Sequence, residues 1–180
     1  SHELFHTWNV KNIRPVEMMP YDFTKENYAR TGYVYEGFTT YYGDVMLRAS
    51  NVFTDQQYFE TLEERLVKHF HNYGRYNLSV AQSSWETWLD GYVPGAPYRK
   101  TSIYDEGNLV ALMLDISILK HTGNKKSLRD VCRKLFNDFG KKGIGYTEQN
   151  VIDLCNEAAS VSLQEIFDKY VYGTEDFEPM

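Results

Sequence analysis

Tyr104-Asp105-Glu106-Gly107-Asn108-Leu109-Val110-Ala111-Leu112-Met113-Leu114-Asp115-Ile116-Ser117-Ile118-Leu119-Lys120-His121 is the stretch that decides the fold. It is apolar almost all the way round a helix. Its longest apolar run, Leu109 to Leu119, is interrupted by Asp115 and Ser117 and stays short of the roughly 18 to 20 residues a membrane span needs. The spacing therefore predicts a buried central helix. Gly123, after Thr122, offers a left-handed stop, and Gly140 to Gly145 punctuates the next junction in the same way.

Around this segment, apolar residues recur three and four apart. Tyr58, Leu62, Leu66 and Phe70 form one stripe and Val131, Leu135 and Phe139 another. Val151, Leu154, Cys155 and Ala158 form a third, and Leu163, Ile166, Phe167 and Tyr170 the last. Ser or Thr followed three residues later by an acidic or amide residue marks helix starts at Thr54–Gln57, Ser83–Glu86, Ser127–Asp130 and Ser162–Glu165, and Thr147 caps one more. Arg14 to Pro20 and Tyr92 to Lys100 read as loops. No alternating run bounded by turn signals marks a strand, so the fold class is mainly α.

With 180 residues, 42% hydrophobic and 24% charged, the chain has the composition of one packed domain. Its net charge of −6 gives no basic surface for nucleic acid. Cys132 and Cys155 are too few for a disulfide framework and read as buried thiols inside helices. Ser1 stands where an initiator Met would, with neither signal peptide nor lead-in before His2, so the chain reads as an excised piece.

The chemistry sits at the start. His2-Glu3-Leu4-Phe5-His6 matches H-E-x-x-H. On a helix, residues four apart share a face, so His2 and His6 can present ring nitrogens to one zinc ion. Glu3 lies about 100 degrees round from His2, outside the ligand set yet close enough to act as general base on a zinc-activated water. A catalytic zinc needs a third protein ligand. His69 and His71 point about 200 degrees apart and read as solvated surface residues. His121 suits the negative end of the central helix without any metal. Glu36 lies in Tyr33-Val34-Tyr35-Glu36-Gly37-Phe38-Thr39-Thr40-Tyr41-Tyr42, where burying an unpaired carboxylate would be costly and a metal would remove the cost. By spacing alone, a metal ligand and a partly exposed helical Glu both stand.

His2 to Lys11, followed by Ile13-Arg14-Pro15, resembles the zinc-helix block of the glycyl aminopeptidase family of metallopeptidases. Glu36 to Asp44 is similar to that family's third-ligand block, Tyr104 to Leu112 to its later tyrosine helix, and Gly173 to Asp176 to its closing segment. The resemblance implies zinc held by His2, His6 and Glu36, a water activated by Glu3, and Tyr104 as hydrogen-bond donor to the oxyanion. Thr40 stands where a small hydroxyl residue is expected. Glu106 stands where relatives often carry Lys, which puts a local ion pair in doubt.

The resemblance further implies the helical C-terminal portion of a thermolysin-like (gluzincin) zinc peptidase catalytic domain. Residues 1–180 would form a single helical domain of a larger peptidase, lacking the family's β-rich N-terminal region and PDZ-type C-terminal domain. The implied reaction removes small N-terminal residues such as glycine from a peptide. The piece alone, without the missing N-terminal part of its own chain, is expected to be inactive. An inactive structural fragment with an empty metal site and a thermolysin-like endopeptidase are the competing readings. The compartment stays open between cytoplasm and periplasm.

Overall fold

The computed structural model describes residues 1–90 and 96–177; those residues form helices and turns, with no strand beyond two isolated bridges, Asn9 with Ile13 and Pro15 with Tyr146. The order is α1 (His2–Phe5), a π-helical turn (Tyr33–Phe38) running directly into α2 (Thr39–Ala49), α3 (Asp55–His71), α4 (Val80–Trp85), α5 (Thr87–Asp90), α6 (Asp105–Thr122), α7 (Leu128–Asp138), α8 (Glu148–Ala159) and α9 (Gln164–Ile166). A second π-turn, Phe167–Tyr172, extends α9. The mainly helical class expected from the sequence is the class observed. No helix among the described residues is long and apolar enough to cross a membrane.

The apolar stretch that predicts the central helix is α6, and the first π-turn, α2, α3 and α8 all pack on it. Val110, Ala111, Leu114 and Ile118 lose all contact with solvent. Asp115, the charge in the middle of the run, is used as a tie. It accepts from the Tyr41 hydroxyl at 2.6 Å and from the Leu128 amide at 2.6 Å, joining α2 and the first turn of α7 to α6. Ser102 caps the start of α6 by accepting from the Asp105 amide, and Gly123 closes its end at φ 59°.

Where α6 meets the first π-turn, backbone touches backbone. A Cβ added to Gly37 would lie 2.4 Å from the Gly107 Cα, and one added to Gly107 would lie 2.7 Å from the Gly37 Cα. Only two glycines facing each other permit this approach.

The caps at Thr54, Ser127 and Thr147 form where the sequence places them. Two others move. Ser79 with Gln82, not Ser83 with Glu86, caps α4, and Ser83 is buried inside that helix. The observed pair lies four residues, one helical turn, before the expected one. At the last helix Leu163 takes the cap position, with Ser162 accepting from the Gln164 amide. Arg14 to Pro20 contains a single turn of 3-10 helix, Val16–Met18. Of the loop expected from Tyr92 to Lys100, Tyr92 to Gly95 lie outside the described residues, and 96–100 are turns and bends. Cys155 is buried and Cys132 partly so, both as free thiols, and burial pushes the Cys132 thiol up to about 12.

His69 corrects the expectation of a solvated surface histidine. It is 2% exposed, its Nδ1 lies 2.8 and 2.9 Å from the two Glu106 carboxylate oxygens, and Phe177 stacks on its ring at 4.3 Å. The helical spacing of His69 and His71 is as read, since His71 is exposed. What local spacing cannot see is the partner on α6 and the C-terminal segment folded over both. Glu106 thus has a hydrogen-bonding partner of its own.

Two outcomes follow from these contacts. Gly107→Ala gains about 1 kcal/mol of helix propensity, yet the collision with Gly37 should make it net destabilising by about 1–3 kcal/mol, measured by urea unfolding. His69→Phe or Glu106→Leu alone should cost about 3–5 kcal/mol by stranding the other partner. The double variant should recover much of that loss, and a strictly additive double-mutant cycle would refute the coupling.

Candidate metal centre

α1 is only one turn long, but His6 keeps helical dihedrals (φ −60°, ψ −17°), so His2 and His6 stay on one face. Their rings meet edge to face with centroids 4.6 Å apart. The turn is held on α2 by Phe5, stacked on Tyr42 at 5.1 Å, and by Gly43, where a Cβ would come 3.3 Å from the His2 backbone nitrogen. Glu36 comes from the π-turn, a wider coil that shifts the phase of the helix and recurs at functional sites.

The three side chains converge. Nε2 of His2 and Nε2 of His6 each lie 3.3 Å from Glu36 Oε2, and ligand atoms from all three residues fall within 4.8 Å of one another. No other group of three or more His, Cys, Asp or Glu among the described residues is so placed. The protons have been drawn to the far side of both rings. His6 Nδ1 lies 2.6 Å from the Asn9 carbonyl, which can only accept, so Nδ1 carries the hydrogen and Nε2 a lone pair. Thr40 donates its hydroxyl hydrogen to the Glu36 carbonyl at 2.8 Å, so its oxygen accepts from His2 Nδ1 at 3.3 Å and leaves that Nε2 bare as well.

Glu36 Oε2 is consequently buried with no hydrogen-bond partner. Burial pushes the carboxyl above its ordinary range, while the neighbouring His6 and a hydrogen bond with Tyr104 pull it back. Burial lowers the His2 imidazole, and a proton on the neighbouring His6 would lower it further. A cation supplies what this arrangement lacks. Two neutral imidazoles and one carboxylate form a donor set that fits zinc with a fourth position free.

Glu3 is exposed at the rim, outside the converging set, and its charge acts on both His2 and Glu36. Tyr104 precedes α6, its ring centroid 6.0 Å from that of His2. So the structure gathers His2, His6, Glu36 and Tyr104, with Glu3 beside them. It leaves His69 in its buried pair, His71 at the surface, and His121 bonded to the Ser117 carbonyl in the last turn of α6.

Two supports escaped the sequence reading. Arg65 on α3 grips Asp44 of α2 (2.7 and 2.9 Å) and Asp105 of α6 (2.8 Å), fixing the turn next to Tyr104 against the helix that continues from Glu36. Asn9 is buried between α1 and the π-turn. Neither had a local signal, because each acts between segments 20 or more residues apart.

The family model of glycyl aminopeptidases matches residues 1–110, the portion holding both histidines, both glutamates and Tyr104. The chain belongs to the glycyl aminopeptidase family. A crystal structure of an aminopeptidase N family protein from Idiomarina loihiensis superposes with a TM-score of 0.91 at 30% identity. That match covers 98% of this glycyl aminopeptidase family chain and 30% of the other, so the chain spans about a third of that protein's length. No curated protein matches.

If the triad holds zinc, the metal at a hundred times its dissociation constant stabilises the chain by about 2.7 kcal/mol, a rise in Tm of roughly 5–10 °C for this size. Scanning calorimetry should show this rise for the parent chain and lose it in His6→Ala.

Proposed function

We propose that these 180 residues are the helical portion of a larger zinc aminopeptidase catalytic domain that removes small N-terminal residues such as glycine. The observation that carries the reading is the convergence of His2, His6 and Glu36 around a buried carboxylate oxygen that no proton donor satisfies. Family membership and the likeness to an aminopeptidase N family protein support it.

His2, His6 and Glu36 would hold the zinc, which when bound polarises a carbonyl and lowers the pKa of a water towards about 7. The residues of the chain do the rest. Glu3, at the solvent-facing rim, is placed to take the proton from the attacking water and return it to the leaving amine. Its exposure in this chain leaves its carboxylate free for that exchange. Tyr104, its ring 6.0 Å from that of His2, donates its phenol hydrogen to the carboxylate or, with substrate present, to the developing oxyanion. Peptide is the substrate class this set of groups serves.

In the complete enzyme, Glu3→Gln should lower kcat by about 10²–10⁴-fold with zinc content unchanged. Tyr104→Phe should lower kcat by about 10²–10³-fold with little change in KM. Retention of full peptide hydrolysis in Glu3→Gln would sink the mechanism. Comparing glycyl peptides with their N-acetylated counterparts separates an aminopeptidase from an endopeptidase, since only the former loses its substrate on acetylation.

A further inference from the structure

We infer that Asn9 is a positioning residue that sets the separation of His6 from Glu36; this rests on the metal reading above. Asn9 is 3% exposed and bonds both to His6 beside the first turn of the chain and to the π-turn and the start of α2. It acts through two arms. Its backbone carbonyl takes the His6 Nδ1 hydrogen at 2.6 Å and so fixes the ring and its tautomer. Its side-chain amide donates to the Val34 carbonyl at 2.8 Å and to Thr39 Oγ1 at 3.2 Å, the two groups that flank Glu36 in the chain. Thr39 passes its own hydrogen to the Tyr35 carbonyl at 2.7 Å, so its oxygen is available only as an acceptor for Asn9.

The orientation of the amide is forced. Turning it over would point Oδ1 at the Val34 carbonyl, two acceptors face to face with no proton between them. In the orientation adopted, Oδ1 is buried and unpartnered, a cost of about 1–3 kcal/mol that a merely structural asparagine would be poorly placed to sustain. Leu would fill the same volume without the orphaned oxygen. The polar group is retained where its two donors span the π-turn that presents Glu36, while the same residue's carbonyl holds the facing histidine. One rigid residue thereby links two ligands that are 30 positions apart.

The test uses the 180-residue chain, zinc competition titrations and the visible spectrum of its cobalt(II) form. Asn9→Leu keeps the volume and removes both donors; Asn9→Asp keeps the shape and sets an oxygen against the Val34 carbonyl. Both should weaken zinc by about 10–100-fold and alter the cobalt bands. Thr39→Val, a milder change that deletes one acceptor of the same amide, should weaken zinc in the same direction if the Asn9 variants fail to fold. Leu135→Ala, in the core on α7, is the matched control: it lowers Tm and should leave zinc affinity and spectrum intact. Unchanged affinity in the Asn9 variants, or an equal loss in Leu135→Ala, overturns the inference. If the parent chain and His6→Ala bind zinc equally poorly, the metal reading itself falls and takes the positioning role with it.

Discussion

Gly37 and Gly107 let two helical backbones come into direct contact, and the arrangement of the centre depends on that contact. Glu36 is the residue before one glycine, and Tyr104 stands three residues before the other, one turn up α6. Any side chain at the crossing would push the π-turn off α6 by the width of a methyl group or more. Glu36, beside that crossing, would move with the π-turn. Arg65 reinforces the same junction from outside, with one guanidinium shared between a carboxylate on each helix. Asp115 does so from the far end through Tyr41. The polar residues of this otherwise apolar core are thus concentrated where helices must keep register, consistent with charged groups being buried only when paired.

The centre is the exception to that pairing. Hydrogen bonds satisfy the outward-facing atoms of both imidazoles, through Asn9 and Thr40, while the Nε2 atoms of His2 and His6 both face Glu36 Oε2. Rotating either ring to relieve Glu36 would break the bond on its outer side. Side chains fixed in this way from their outer sides keep their inner atoms aimed at one point. The fold bears that unfavourable contact through the aromatic packing of Phe5 on Tyr42 beneath it.

How much of this could be read from the chain depended on sequence distance. The i, i+4 histidines, the apolar α6 and the caps at Thr54, Ser127 and Thr147 are local, and local periodicity reveals them. Glu36 was an even choice on spacing and became a ligand candidate only through family resemblance, because the π-turn that aims it departs from the 3.6-residue period on which such reading relies. His69 was misread for the same reason in reverse. Its helix neighbours are solvated, and what buries it comes from 37 and 108 positions away, as Glu106 and Phe177. The Ser83 cap failed because the helix begins one turn earlier, at Ser79, which leaves Ser83 buried inside it.

Glu106 shows how such a departure is absorbed. The resemblance expects Lys there, and a carboxylate in its place, two residues from Tyr104 and 6% exposed, would by itself repel the negative centre and loosen the first turn of α6. His69 answers it with Nδ1, and Phe177 and the Arg75–Asp176 ion pair close the C-terminal segment over the exposed side. The carboxylate is therefore hydrogen-bonded on the side of α6 facing α3, away from Glu36, which faces groups from the first turn of the chain. Each helix face handles its own carboxylate, Glu106 through α3 and the C-terminal segment and Glu36 through the first turn of the chain. That separation keeps the contacts of Glu106 apart from the place where His2, His6, Glu36 and Tyr104 gather.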